Sequence, residues 1–186
     1  MKILFFSDAH GCAEALGDLT LRIAQFQPEL IVMLGDALYH GPRNALPAAY
    51  DCKKAAEMLN IYKKKIVAVR GNCDCEVDQM MLEFPCLADF STVYADGIRF
   101  FLTHGHLWNE GNPPPVTDGT ILAHGHTHIP VLKKTDDGKM FVFNPGSIAI
   151  PKGGSVRTYG TWEDGTLSVR ELANGNVFNG LTMKFL

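Results

Sequence analysis

The sequence predicts an α/β domain that contains two β-sheets. In the first half of the chain, short apolar runs alternate with amphipathic helical segments, which is typical of parallel βαβ units. In the second half, three β-rich segments each contain an Asp-Gly pair, which is a strong hairpin signal. No long linker, low-complexity segment or repeat of roughly 20–50 residues interrupts the chain. We therefore expect residues 1–186 to form a single domain.

Three apolar runs in the first half predict buried strands, and the segments between them show helical spacing of apolar side chains. We expect strands at residues 2–6, 30–34 and 66–69, and helices around residues 16–26 and 51–62. Residues 39–50 contain Gly41-Pro42 and Pro47 and are expected to form a loop.

The second half is expected to be rich in hairpins. Their turns should lie at Asp96-Gly97, Asp137-Gly138 and Asp164-Gly165, where the flanking residues are β-branched, aromatic or otherwise apolar. A short strand is expected around residues 121–123, and a last strand within residues 177–185.

The composition is that of a soluble globular protein. Of 186 residues, 46% are hydrophobic and 20% are charged, so one domain can bury a sizeable core. The formal net charge of −3 argues against a general attraction to nucleic acid or to an anionic membrane. The odd count of five cysteines favours reduced thiols, and no apolar run is long enough for a signal peptide or a membrane span. We therefore expect a cytoplasmic protein.

Polar side chains with metal-binding chemistry follow five of the expected strands. Ligands of open α/β sheets generally bind at the carboxyl ends of the strands, so these side chains are expected to converge. The set consists of Asp8, His10, Asp36, Asn72, His104, His126 and His128.

The donor types in this set favour a pair of divalent ions. Two carboxylates, one amide and four imidazoles exceed what one tetrahedral ion needs, and no thiolate is required. They suit two ions with five or six ligands, such as Mn²⁺, Fe or Ni²⁺, with Zn²⁺ as an alternative. Asp36 lies between the two ligand groups in sequence and is the expected bridge. Two ions about 3.5–4 Å apart that share a hydroxide are suited to in-line displacement at phosphorus.

Each oxygen donor also has a simpler explanation. Taken alone, Asp8, Asp36 or Asn72 is best explained as a helix cap or a turn residue, because each follows an apolar strand. Their ordered occurrence with four histidines favours the metal site.

The ordered motifs resemble those of the binuclear metallophosphoesterase (calcineurin-like) superfamily. They are D-x-H at residues 8–10, G-D at 35–36, G-N-x-D at 71–74, a lone His104 and G-H-x-H at 125–128. The smaller segments HGPRN, RGNCD, THGH and NPGSI are most similar to the bacterial YfcE-type phosphodiesterases. The resemblance implies a four-layer α/β/β/α sandwich of two mixed sheets flanked by helices, with Mn²⁺ as the favoured cofactor.

The resemblance also implies a division of the ligands and an activity. One ion would bind Asp8, His10, Asp36 and His128, and the other would bind Asp36, Asn72, His104 and His126. The implied enzyme is a metal-dependent phosphodiesterase that acts on a small phosphoester with a hydroxide bridging the two ions. No nucleic-acid polymer or membrane is expected as a partner, and assembly as a homo-oligomer stays open.

One position departs from the wider superfamily. Many members have His after G-N, where it acts on the leaving-group oxygen, and this chain has Cys73. Either the leaving group must be acidic, as in aryl esters, or another histidine donates the proton, with His40 and His106 as candidates. Arg43 is a further candidate, because a guanidinium can hold two phosphoryl oxygens.

Two other functions remain as alternatives. A phosphomonoesterase or nucleotide hydrolase would use the same site. A non-catalytic binding scaffold is also known on a similar fold, in the retromer scaffold subunit, and fold alone does not imply catalysis. The complete set of seven ligands argues against the scaffold.

Overall fold

A computed structural model describes residues 1–186, which form two mixed sheets and three helices. In chain order the elements are β1 (Ile3–Phe6), α1 (Ala13–Phe26), β2 (Leu30–Met33), α2 (Cys52–Asn60), β3 (Ile66–Ala68), α3 (Glu76–Met81), β4 (Phe90–Ala95), β5 (Ile98–Thr103), β6 (Ile121–Ala123), β7 (Val131–Lys134), β8 (Phe141–Asn144), β9 (Thr158–Glu163), β10 (Thr166–Glu171) and β11 (Val177–Lys184). The expected strands, the two longer helices and the three hairpin turns are confirmed.

The first sheet has the order β11-β10-β9-β1-β2-β3. Strands β1, β2 and β3 are parallel, with Ile3 opposite Leu30 and Ile31 opposite Ile66. Strand β9 pairs antiparallel with β1 on the other side and connects it to the β10–β11 hairpin. Since β1 is paired on both edges and covered on both faces, its residues are fully buried, which explains its unbroken apolar sequence.

The second sheet has the order β4-β5-β6-β8-β7. Its three central strands, β5, β6 and β8, are parallel, and an antiparallel strand closes each edge. Each sheet therefore contains three adjacent parallel strands, at one side of the first sheet and at the centre of the second. The carboxyl ends of β1, β2, β3, β5 and β6 carry the expected ligands.

Successive side chains of β1 serve two different cores. Leu4 and Phe6 pack under the helices, whereas Ile3 and Phe5 face the second sheet. The Phe5 ring lies 5.5 Å from that of Phe100, between centroids, so the two sheets interlock directly. Burying a side chain of this size stabilises the fold by about 1.5–3 kcal/mol.

The two outer layers differ in what covers them. Helices α1 and α2 lie on the first sheet, and α3 ends beside α2, where Asn60 Nδ2 donates to the Met81 carbonyl at 2.9 Å. On the second sheet, the outward-facing Phe101 stacks on Phe90 and meets the edge of Trp108 from a loop. Two mixed sheets packed face to face and flanked by a few helices confirm the expected fold class.

Helix α3 was not expected from the sequence. It has only six residues, which is too short for a clear apolar period, and its N-cap is Cys75, a residue type that rarely signals a helix start. The Asp78 carboxylate stabilises this turn by accepting a hydrogen bond from the Cys75 N–H at 2.7 Å. None of the three helices has the length and apolar character needed to cross a membrane.

Candidate metal centre

The first group of candidate ligands consists of Asp8, His10 and His128, whose donor atoms lie within 4.8 Å of one another. The Nε2 atoms of His10 and His128 lie 3.7 and 3.2 Å from Asp8 Oδ1, and 3.4 Å from each other. All three side chains are buried. Three donors at this spacing around a common space can serve one cation.

The second group is built around Asp36. Its Oδ2 atom lies 3.4 Å from His104 Nε2, and Asn72 Oδ1 lies 3.1 Å from the same nitrogen. The His126 ring lies 5.1 Å from the His104 ring, between centroids. Asp36 Oδ2 is also 3.7 Å from His10 Nε2, so this carboxylate faces both groups. The structure thus brings all seven expected ligands together.

Backbone carbonyls fix the orientation of three imidazoles. His10 Nδ1 lies 2.8 Å from the Tyr39 carbonyl, His104 Nδ1 lies 2.7 Å from that of Leu34, and His128 Nδ1 lies 2.6 Å from that of Ile150. A carbonyl oxygen only accepts, so each Nδ1 must carry a proton, and a ring in its neutral form turns the Nε2 lone pair inwards. This arrangement is typical of metal-ligating histidines.

Asp8 provides a direct test of whether a cation fits. Its side chain has no solvent exposure, its Oδ2 accepts the His126 N–H at 3.1 Å, and its Oδ1 has no hydrogen-bond partner. A buried carboxylate oxygen without a partner is costly, and coordination of a cation removes that cost. The donor set of oxygen and imidazole nitrogen therefore fits divalent ions.

Five of the seven candidate ligands have left-handed backbone conformations. The residues with positive φ are Asp8, His10, Asp36, His126 and His128, at 45–67°. This conformation costs an L-residue roughly 1–2 kcal/mol. Strained residues of this kind cluster at functional sites, where the surrounding structure holds them in place.

Two glycines of the motifs are required by close packing against the ligands. A Cβ on Gly71 would lie 2.0 Å from Asp36 Oδ1, and one on Gly125 would lie 1.9 Å from Ser7 Oγ and 2.7 Å from Asp8 Oδ2. Only glycine allows these loops to approach the carboxylates so closely.

Most of the chain matches a model of one protein family. The model described as the calcineurin-like phosphoesterase superfamily domain matches residues 1–164. The chain belongs to this superfamily. The resemblance drawn from the motifs is confirmed, and the superfamily uses divalent metals at its sites.

Individual relatives agree with the family model. The chain is 46% identical over 177 residues to the phosphodiesterase YfcE of Escherichia coli strain K12, which covers 95% of each chain. A solved structure described as YfcE, a phosphoesterase from E. coli, covers 100% of both chains with a TM-score of 0.95 and 44% identity. Vacuolar Protein Sorting 29 from Cryptosporidium parvum covers 95% of this chain and 94% of its own at 18% identity, with a TM-score of 0.63. This last match shows the fold alone.

Asp74 holds the two loops that carry Asp36 and Asn72. Its carboxylate accepts the N–H groups of Asp36, Ala37 and Gly71 at 2.7–2.8 Å. Burial, together with the negative charge of Asp36, outweighs these hydrogen bonds and raises the pKa of Asp74 to about 6. The carboxylate positions the ligand loops, a role that the G-N-x-D motif alone did not specify.

The carboxylates and His104 set each other's charge when no ion is bound. Burial opposes protonation of His104, but the hydrogen bond to Asp36 and the charges of Asp8 and Asp36 raise its pKa to about 9. Burial likewise opposes ionisation of Asp36, yet the His104 ring and the Cys73 N–H hold its pKa well below the usual range. The ion-free site is therefore a tightly paired set of opposite charges.

Cys73 is half-buried beside Asp36, whose Oδ1 accepts the Cys73 N–H at 2.8 Å. Burial and the negative charge of Asp36 raise the pKa of the thiol to about 12. A thiol with so high a pKa is a weak proton donor, which agrees with the expectation drawn from the sequence.

A cleft of about 360 Å³ lies next to the candidate ligands, four of which line it. It is lined by Asp36, Gly41, Pro42, Arg43, Asn44, Asn72, Cys73, His126, Thr127, His128 and Lys152. Arg43, a candidate from the sequence for contact with phosphoryl oxygens, is among the residues that line this cleft. Lys152 was not singled out from the sequence, because a lysine in a Pro-Gly-rich loop has no distinguishing pattern.

The two candidate proton donors occupy different places. His40 does not line the cleft, and its ring packs edge-on against Tyr39 and Tyr50 at 4.8 and 5.4 Å. His106 lies beside the ligands, with its ring 5.4 Å from that of His104. The buried Nδ1 atom has no hydrogen-bond partner in either histidine, so it does not distinguish them. The geometry therefore favours His106 over His40 for a role at the centre.

The segment Asn144–Ser147 forms hydrogen bonds with the backbone next to the candidate ligands. Asn144 Nδ2 donates to the Gly125 carbonyl at 2.8 Å, and Ser147 Oγ donates to the Asp8 carbonyl at 2.8 Å. Ser147 Oγ also accepts the Ile150 N–H at 2.8 Å, which steadies the carbonyl that holds His128. The Asn-Pro-Gly-Ser sequence alone does not reveal these contacts, because they depend on distant parts of the chain.

Proposed function

We propose that the chain is a metal-dependent phosphodiesterase that acts on small phosphoesters at the site described above. The observation that carries this proposal is the convergence of the Nε2 atoms of His10, His104 and His128 with the unpartnered Asp8 Oδ1. The 46% identity to an E. coli phosphodiesterase over 95% of the chain supports the reaction type.

We propose that one ion binds Asp8, His10, Asp36 and His128, and that the other binds Asp36, Asn72, His104 and His126. The position of Asp36 Oδ2, 3.4 Å from His104 Nε2 and 3.7 Å from His10 Nε2, supports its role as the bridge. Mn²⁺ is the proposed metal because the donors are oxygen and imidazole nitrogen without thiolate. When bound, such a pair of ions lowers the pKa of a shared water and neutralises charge on phosphoryl oxygens.

The side chains around the ligands have separate proposed tasks. Asn72, exposed at the mouth of the cleft, orients the phosphoryl group through its amide. Arg43 contacts an anionic oxygen of the substrate, as its position in the cleft allows. His106 is the proposed donor of the leaving-group proton, with His40 as the second candidate. Residues 1–186 act together as one domain, which we place in the cytoplasm.

The decisive experiment measures hydrolysis of a panel of mono- and diesters in excess Mn²⁺. Wild type is compared with Asp36→Asn and with Asp118→Asn, a matched change at an exposed aspartate. Diester turnover that is lost in Asp36→Asn but kept in Asp118→Asn supports the proposal. Faster turnover of monoesters would favour a phosphomonoesterase. No metal-dependent turnover above that of Asp36→Asn would favour a binding scaffold.

A further inference from the structure

We propose that Arg43 and Lys152 form a subsite for a second anionic group of the substrate, separate from the phosphorus that is attacked. The preferred substrates would then be phosphodiesters in which one ester arm bears a further phosphate or carboxylate. This inference rests on the proposed phosphodiesterase function and specifies its substrate class.

The two cationic side chains reach the same cleft from different loops. Arg43 belongs to the loop after β2, and Lys152 belongs to the loop after β8. At about 360 Å³ the cleft is within the usual range for small-molecule sites, so it has room for ester arms beyond the scissile group.

The backbone of Lys152 is fixed next to a metal ligand. Its N–H donates to the His128 carbonyl at 3.2 Å, and its carbonyl accepts the Ser155 N–H at 3.1 Å and the Ser155 hydroxyl at 2.9 Å. Two residues earlier, the Ile150 carbonyl accepts from His128 Nδ1. The Lys152 side chain therefore extends from a segment that contacts His128 through the Ile150 carbonyl and the Lys152 N–H.

Arg43 is placed in a corresponding way beside His10. The Tyr39 carbonyl accepts from His10 Nδ1 at 2.8 Å, and the turn that follows is closed by Asn44, whose Nδ2 donates to the His40 carbonyl at 2.9 Å. The loops that orient His10 and His128 thus also carry the two cations.

No protein anion neutralises these two side chains. The only carboxylate that lines the cleft is that of Asp36, which faces His10 and His104. Neither Arg43 nor Lys152 has a salt bridge or a side-chain hydrogen bond. Arg70, by contrast, pairs with Asp89, and Lys133 pairs with Glu110. The cleft therefore holds two positive charges that are available to a ligand.

A simple diester leaves these charges without a partner. The phosphoryl group of a diester carries one negative charge, which a pair of divalent ions already offsets. A guanidinium and an ammonium that line one cleft suit the several oxygens of a phosphate, or of a carboxylate, on an ester arm. Because Arg43 and Lys152 are exposed, solvent screening keeps the expected gain moderate.

The test compares 4-nitrophenyl phosphodiesters that share a leaving group but differ in the second arm. The arm is a glycerol ester in one, a phosphorylated glycerol in the second and a carboxylate of the same length in the third. The Mn²⁺-loaded wild type, Lys152→Met and Arg43→Gln are assayed with Lys64→Met as control. Lys64 is also an exposed lysine without an ion pair. It lies just before β3, at the amino-terminal end of that strand, whereas the cleft lies at the carboxyl ends of the strands.

In wild type, we expect kcat/KM for the charged-arm diesters to exceed that for the glycerol diester by about tenfold. This ratio should fall towards one in Lys152→Met and Arg43→Gln and remain in Lys64→Met. The phosphate and carboxylate arms show which group is preferred. If both variants lose activity equally on all three diesters, the side chains act on the scissile phosphate and the inference is overturned.

Binding supplies a readout that does not depend on turnover. Calorimetry with non-hydrolysable phosphonate analogues of the three diesters should show the same ratio of affinities and its loss in the two variants. If no diester is hydrolysed by wild type, the proposed function fails, and calorimetry still decides on the subsite. Equal affinity of wild type for all three phosphonates would overturn the inference.

Discussion

The Nε2 atoms of His10 and His128 lie 3.4 Å apart, and each ring donates its Nδ1 proton to a backbone carbonyl. In neutral rings, this arrangement turns two lone pairs towards one another in a buried space next to Asp8. Such a contact is unfavourable unless a cation lies between the nitrogens. The fold therefore holds the two rings in an orientation that metal binding makes favourable.

Metal binding should stabilise the folded protein. At a free Mn²⁺ concentration of 100 times Kd, linkage predicts a gain of about 2.7 kcal/mol. For a chain of this length the melting temperature should rise by about 5–10 °C, which thermal unfolding with and without chelator can measure. Asp36→Asn should lose most of this shift, whereas Asp118→Asn should keep it. An equal shift in both variants would place the ions elsewhere.

The affinity for metal should increase with pH. In the ion-free protein the pKa of His104 is raised to about 9, so at neutral pH an ion must displace a proton from this ring. Below pH 9 the apparent affinity should therefore fall by about tenfold per pH unit for this one proton. Calorimetry between pH 6.5 and 8.5 would measure this slope, and an affinity independent of pH would contradict it.

The same shift predicts how the ion-free fold responds to pH. The folded pKa of His104 lies above the unfolded value of about 6.5, so the folded state binds the proton more tightly. This contribution to stability is complete below pH 6.5 and is lost as the pH rises through 9. Urea unfolding of chelated protein should show a falling midpoint over this range, and His104→Gln should flatten the dependence.

The rate should depend strongly on the leaving group. The Cys73 thiol has a pKa of about 12 and protonates a departing alkoxide poorly, so aryl esters should react faster than alkyl esters. A series of leaving groups should be measured on wild type, His40→Ala and His106→Ala. We expect a steeper dependence in His106→Ala alone, because its ring lies beside His104 and His126. Equal slopes in all three proteins would remove both histidines from this role.

The sequence was sufficient for most strands and all seven candidate ligands, because both depend on local patterns. Apolar runs end where polar donors begin, and Asp-Gly turns mark the hairpins at Asp96, Asp137 and Asp164. The short helix α3 was not predicted, because six residues are too few to show the helical period of apolar side chains.

Contacts that join distant parts of the chain were not predictable. The carbonyls of Tyr39 and Ile150 orient His10 and His128, but every residue has a carbonyl, so the sequence gives no sign of which one is used. The position of Lys152 beside the cleft likewise depends on a hydrogen bond to His128, 24 residues earlier in the sequence.

Asp74 should matter for both stability and metal binding. The Asp74 carboxylate accepts hydrogen bonds from three backbone N–H groups. In Asp74→Asn, the amide NH₂ must face one of these donors, and that hydrogen bond is lost. We expect a loss of about 2–3 kcal/mol in the free energy of unfolding, and a metal affinity lower by about 10–100-fold. Urea unfolding and calorimetry measure the two effects, with Asp118→Asn as control. Wild-type metal affinity in Asp74→Asn would show that the loops hold their shape without this carboxylate.

Gly71→Ala should damage the metal centre without removing any ligand. The new Cβ would lie 2.0 Å from Asp36 Oδ1 and 2.4 Å from the Asp36 nitrogen, so the loop or the bridging carboxylate must move. We expect loss of the Mn²⁺-dependent thermal shift and a fall in activity on the order of 100-fold, as is typical when catalytic geometry shifts by about 1 Å. Gly17→Ala is the matched control, because Gly17 lies in α1 and its Cβ would meet only Met58 at 4.0 Å. That substitution should stabilise the helix by about 0.5–1 kcal/mol and leave metal binding intact. Wild-type Mn²⁺ affinity in Gly71→Ala would mean that the close approach of the β3 loop to Asp36 is not needed to form the site.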